Sequence, residues 1–111
     1  MSFYDLQHVP EELVTPRHST ALGRLITGKQ VEFGVLRFKA GEGAKVHAHP
    51  HEQIVYVLRG RMRVLTGGTE KVLGPGEAVM FAANVPHGTV MLEDTEVISV
   101  KGVVGGVGHK I

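Results

Sequence analysis

At 111 residues the chain is long enough for one hydrophobic core and too short for two. Twelve basic residues against eleven acidic ones leave a formal charge of +1, which offers neither the basic surface of a nucleic-acid binder nor the acidic run of a solvating tail. Cysteine is absent, so disulfides, thiolate ligands and thiol nucleophiles are excluded together and any chemistry must use nitrogen and oxygen. The opening MSFYDLQHVPEEL has no basic start followed by an apolar run. No apolar stretch approaches the roughly 20 residues needed to span a bilayer. The expectation is a soluble, cytoplasmic protein with neither nucleic acid nor membrane as a partner.

In chain order, residues 1–19 form an N-terminal segment that could serve as a dimer arm. Within it PEELV (10–14), with Pro10 at a first turn, could open a short helix. Residues 20–101 then read as almost pure β-structure. The runs 31–38, 53–59, 61–66, 70–73, 78–82, 87–92 and 96–101 are rich in β-branched and aliphatic residues and are separated by glycines. So many short strands pack best as a closed or two-sheet antiparallel barrel, because closure hides strand edges. Gly67 and Gly68 supply the positive backbone angles of a two-residue hairpin turn, and Gly74-Pro75-Gly76 redirects the chain after the next strand. The tail GVVGGVGHKI (102–111) reads either as a flexible lid or as a disordered terminus, with the terminus expected.

The chemistry concentrates in HAHPHEQ and NVPHG. His47 and His49 are two apart, and on a strand alternate side chains share a face, so both imidazoles can be offered to one ion. Gln53 lies four residues on, and His87 follows Pro86, which stiffens its approach. Neutral imidazole is available near pH 7, and an amide oxygen is a hard neutral donor. None of the four carries a negative charge, so a bound divalent ion would keep its full charge and favour an anionic substrate oxygen or an acidified water. The competing reading is a set of polar side chains at strand ends.

The spacing Gly41, five residues, His47, one residue, His49, three residues, Gln53, six residues, Gly60 resembles the first cupin motif, with glutamine in place of the usual glutamate. Gly76 to His87 resembles the second motif. Ala82 and Asn84 stand where the family often has proline and glycine, and Met91 where it often has asparagine. The resemblance covers roughly residues 20–101. It implies an all-β, small single-domain cupin (RmlC-like), an antiparallel β-barrel or double-stranded β-helix jelly roll. It also implies one divalent transition metal per subunit (Zn, Ni, Fe, Mn or Cu), held by His47, His49, Gln53 and His87. HAHPHEQ, YVLRG, the KVL strand and VPHG are most similar to small bacterial cupins of pectin degradation that linearise unsaturated uronates and use three histidines and a glutamine. That group's acidic, aromatic and arginine positions after the last strand fall here near Ser99, Lys101 and Gly105, so its proton-transfer group is missing.

Alternation assigns the surroundings. If Gln53 and His87 face inward, so do Val55, Val57, Thr89 and Met91. Arg37 shares a face with Lys39, opposite Leu36 and Phe38; solvation is the plainer reading, and an inward Arg37 would be a carboxylate clamp. Lys101, at the end of the last strand, is the other candidate cation at the mouth. His51 reads as a support or surface residue, and His8, His18 and His109 as exposed terminal histidines. Ile54, Tyr56 and Leu58 lie on the far face and need cover, which suggests a homodimer. The function that follows is metal-assisted isomerase, tautomerase or lyase chemistry on a small-molecule carboxylate or sugar acid. A metal-dependent dioxygenase and a non-catalytic ligand-binding module are the alternatives.

Overall fold

The computed structural model describes residues 2–111. Ten strands form two antiparallel sheets: β1 (Glu12–Leu13), β2 (Leu22–Thr27), β3 (Val31–Phe38), β4 (Gly43–His47), β5 (Gln53–Arg59), β6 (Met62–Thr66), β7 (Thr69–Leu73), β8 (Ala78–Phe81), β9 (His87–Met91) and β10 (Thr95–Gly102). One sheet runs β1-β2-β3-β10-β5-β8 and the other β4-β9-β6-β7. This is an all-β, single-domain jelly roll, and its inner faces meet over Leu36, Val55, Val57, Met62, Val64, Leu73, Phe81, Met91 and Val97. No helix among the described residues is long and apolar enough to cross a membrane.

The β-rich stretches fold where their patterns place them. β5 alternates strictly, with Val55 and Val57 buried between exposed Ile54, Tyr56 and Leu58, as period-two packing on a half-buried sheet requires. Gly67 and Gly68 have φ of 55° and 77° and join β6 to β7 through the pair Thr66↔Thr69. Gly76 takes φ 86° in the turn that follows β7.

Two local expectations fail for identifiable reasons. PEELV forms no helix: Glu12 and Leu13 pair with β2 instead, because a single turn gains less than a sheet edge offers. A 3-10 turn sits upstream at Leu6–His8. β2 itself lacks the alternation of its neighbours, with Gly23 and Arg24 interrupting its apolar residues. Its Arg24 guanidinium donates to the carbonyls of Leu6, Gln7 and Val9, at 3.0, 3.2 and 2.7 Å, and so ties down the N-terminal segment. The glycine-rich tail is neither a loose lid nor disordered: it returns into the barrel, with Gly108 buried and His109 only 1% exposed.

Within the four-stranded sheet, one close contact between β4 and β9 sets the site. Gly43 opposes Val90, and a Cβ at Gly43 would land on the carbonyl of Thr89, so β4 reaches β9 only because residue 43 has no side chain. We expect Gly43→Ala to cost about 1–3 kcal/mol by forcing these backbones apart. Gly102→Ala, whose Cβ meets only the Glu52 carbonyl at 3.8 Å, should stay within about 0.5 kcal/mol of wild type. Paired thermal melts check the difference, and equal midpoints would contradict it.

Candidate metal centre

β4 and β9 place His47 and His87 directly opposite one another, after a bulge between Ala44 and His47 shifts the register. β4 ends at His47, so His49 does not reach the cluster by strand alternation. It stands in the loop before β5, where Pro50 cannot donate to a ladder and where its carbonyl accepts the backbone N–H of Asn84 at 2.8 Å. Asn84 has φ 65°, a left-handed conformation that asparagine tolerates better than most residues, which explains how it substitutes for the glycine common at this point. The loop between β8 and β9 thus braces the loop that carries His49.

The three histidines meet. Ligand atoms of His47, His49 and His87 all lie within 4.8 Å of one another, and their ring centroids are 4.7–5.5 Å apart. Each ring is turned by its own backbone contact. The Nδ1 atoms of His47, His49 and His87 lie 2.7, 3.0 and 3.0 Å from the carbonyls of Lys45, His51 and Val85. A carbonyl only accepts, so each Nδ1 carries the proton and each Nε2 presents a lone pair. Two further rings hold the planes: His18 stacks on His47 at 4.4 Å and Phe81 on His87 at 4.1 Å.

Electrostatics keep the cluster neutral. Burial lowers the pKa of all three, and most for His49, which falls to about 4 with Lys101, His87 and His47 adding repulsion. Gln53, at the start of β5, turns its Oε1 to within 3.2 Å of His49 Nε2 and donates its Nε2 to Ser99 Oγ at 2.9 Å. With Nδ1 protonated, His49 Nε2 and Gln53 Oε1 are two acceptors facing each other. That arrangement is repulsive until a cation lies between them. The donor set therefore fits one divalent ion per chain, with three imidazoles as its core.

The wall of the surrounding cavity includes Val55, Thr89, Met91, Gln53, Ser99 and Lys101. Two residues expected there are elsewhere. Val57 is fully buried in the core below the cavity, because the alternation that turns it inward carries it two residues beyond Val55 and away from the mouth. Arg37 points outward and clasps Glu11, donating from Nε at 2.7 Å and Nη2 at 2.6 Å. It is not a clamp inside the barrel, since Leu36 and Phe38 occupy the inward positions of β3.

Four residues near the site were not legible as such. His18 is a stacking partner and not a free terminal histidine. His51 is buried, with its Nε2 donating to the Val107 carbonyl at 2.7 Å, which pins the returning tail. His109 lines the cavity from that tail. Glu32 is 4% exposed and contacts His109. A signal for Glu32 existed: it lies in phase with Gly34, Leu36 and Phe38 on β3, so alternation points it inward. No sequence pattern announces His109, because the return of a ten-residue tail is a tertiary event. His8 is exposed, as expected for the N-terminal segment.

Comparison with known proteins agrees with this geometry. The fold and the histidine cluster are those of a cupin. The Cupin_2 model, described as a cupin domain, matches residues 34–101, and the chain belongs to that family. Pectin degradation protein KdgF of Dickeya dadantii is 36% identical over 64 residues, which is 57% of this chain and 58% of that protein. The match thus spans under two thirds of the relative. KdgF from Halomonas sp. superposes with a TM-score of 0.80 at 27% identity, covering 92% of this chain and 93% of that one. An RmlC-like cupin from Shewanella frigidimarina superposes with a TM-score of 0.83 at 23% identity, covering 95% and 93%, and shows the fold alone.

Depressed imidazole pKa values carry a pH consequence. A proton competes with a metal for Nε2 only below the pKa of the folded site. Zinc or cobalt affinity should therefore show no loss centred on pH 6.5, where an ordinary histidine is about half protonated, and should fall only at more acidic pH, with His49 still neutral until about pH 4. Calorimetric titration across that range checks this, and a loss of affinity centred on pH 6.5 would contradict it.

Proposed function

We propose that this protein is a metal-assisted isomerase or lyase acting on a small sugar acid or related carboxylate. The ion is assigned to His47, His49 and His87, with Gln53 Oε1 as fourth donor. When bound, it supplies a Lewis acid that polarises a substrate oxygen. The observation that carries the substrate class is Lys101. It is 2% exposed, lines the same cavity as the histidines, and its ammonium takes part in no hydrogen bond or ion pair among the described residues. A buried cation without a bonded counter-ion is costly, and burial lowers its pKa to about 8 despite the attraction of Glu32. A substrate carboxylate entering the cavity would supply the missing partner.

The other residues bind and shape. Val55, Met91 and Thr89 give the cavity a mostly apolar wall with one hydroxyl, which suits a compact substrate carrying few polar groups beyond those that meet the ion and Lys101. Resemblance to KdgF proteins, whose printed role is pectin degradation, supports unsaturated uronates as the first substrates to try. Lys101 also stands close to the place where uronate-linearising cupins carry an acidic group. An amine with a pKa near 8 is able to hold or release a proton near neutrality, so Lys101 combines carboxylate binding with proton transfer in this reading. Exposed Ile54, Tyr56, Leu58 and Met80 on β5 and β8 support a homodimer through that sheet face.

Turnover of a 4,5-unsaturated uronate by metal-loaded protein under strict anaerobiosis tests the proposal. Loss of the conjugated ultraviolet absorbance is expected, abolished in His87→Ala and slowed at least about tenfold in Lys101→Met, through both KM and kcat, with metal content retained in Lys101→Met. A requirement for oxygen would overturn the isomerase or lyase reading in favour of a dioxygenase. Metal-dependent binding without turnover across a panel of sugar acids would favour a binding module.

A further inference from the structure

Behind the histidine cluster a second set of polar side chains is sealed into the wall between the sheet and the tail. Ser99 is 0% exposed, His109 1% and Glu32 4%. They come from the middle of β10, from the tail and from the start of β3, yet they make one continuous chain that ends on Gln53. Ser99 Oγ is 2.7 Å from His109 Nε2, and His109 Nδ1 is 2.5 Å from Glu32 Oε1. Gln53 Nε2 completes the series at 2.9 Å from Ser99 Oγ.

The chain has a direction, and Glu32 sets it. Its carboxylate also accepts the backbone N–H of His109 at 2.6 Å and the Thr27 hydroxyl at 2.6 Å. Burial opposes ionisation of Glu32, but these donors outweigh it and hold the carboxyl at about 2. An ionised carboxylate has nothing to donate, so neutral His109 must place its proton on Nδ1 and leave a lone pair on Nε2. Ser99 has a single proton, which that lone pair takes. What Ser99 then offers Gln53 is an acceptor, and only the amino end of the amide can meet it. The carbonyl end is turned the other way, towards His49 Nε2. The two ends of a glutamine amide are nearly identical in shape. Here a charge two side chains removed decides between them.

We infer that Glu32, His109 and Ser99 are positioning residues whose one-way hydrogen-bond chain sets which end of the Gln53 amide faces the metal. The inference rests on the reading of Gln53 as the fourth metal donor. Neutralising Glu32 removes the direction: with an amide in its place, His109 is free to protonate Nε2, Ser99 is free to donate towards residue 53, and the carbonyl of Gln53 is drawn away from the ion. A carboxylate introduced at position 53 behaves in the opposite way. It cannot donate to Ser99, so it clashes with the native direction and welcomes the reversed one.

Cobalt(II) titration of the metal-free full chain, followed by visible absorption, tests this with a double-mutant cycle. Gln53→Ala is expected to bind about tenfold more weakly than wild type. Glu32→Gln should lose a similar factor when residue 53 is native, and lose nothing or gain when combined with Gln53→Glu. A plain loss of negative charge, or plain loosening of the fold, would weaken both backgrounds alike, so equal loss in the two overturns the inference while leaving Gln53 a ligand. Unchanged binding by Gln53→Ala overturns both the ligand reading and the inference. Should Glu32→Gln fail to fold, Ser99→Ala replaces it with the same expected pattern, because it deletes the acceptor that the amide needs and the lone pair that a carboxylate meets.

Discussion

The pairing of His47 with His87 across β4 and β9 is the constraint on which the site depends. Two imidazoles held opposite each other on neighbouring strands, with a third brought over them by a braced loop, are buried closely enough to disfavour protonation. Desolvation pushes all three towards the neutral form, with repulsion from neighbouring histidines adding to it at His47 and His49, and backbone carbonyls at each Nδ1 turn the remaining lone pairs inward. Folding therefore creates concentrated donor density that has no hydrogen-bonding use of its own. Such a site is a metal site by default, because a cation is what relieves several acceptors aimed at one point.

Around that core the polar groups fall into two layers with different work. Gln53 and Lys101 come from adjacent strands and sit opposite each other in register, which in the proposed function lets one present a neutral oxygen to the ion and the other a cation to an arriving anion. Glu32 lies opposite Lys101 on the other side of β10 and is occupied by His109 and Thr27. That occupation ties the carboxylate oxygens to His109 and Thr27, so Glu32 attracts Lys101 only through space and makes no direct ion pair with it. The returning tail thus does more than cover the barrel. Gly108 lies so close to the Glu32 carboxylate that a Cβ there would strike it, which is the contact that lets His109 reach in.

Much of this was legible in the sequence. β3 and β5 fall where alternation of apolar residues puts them, and the hairpin at Gly67-Gly68 follows from turn chemistry alone. Gln53, Val55, Thr89 and Met91 face inward because period two is a local property of extended chain. The failures share a different cause. β2 and β4 are not legible because Gly23, Arg24 and Lys45 break the apolar alternation that marks a strand, while the strands themselves are held by neighbours distant in sequence. His49 reaches the cluster through a loop, not through strand alternation with His47. Arg37 was settled by Glu11, twenty-six residues away. The Glu32, His109 and Ser99 chain joins three segments whose proximity exists only after the tail folds back, so no spacing rule encodes it.

X-ray absorption at the edge of the metal retained by protein purified without added ion bears most directly on the account. Multiple-scattering features of about three imidazoles, with a nitrogen or oxygen shell near 2.0–2.2 Å, are the predicted result, and they should vanish together in His47→Ala protein that still melts cooperatively. A metal with one imidazole or none, or an imidazole count unchanged in His47→Ala, would contradict it.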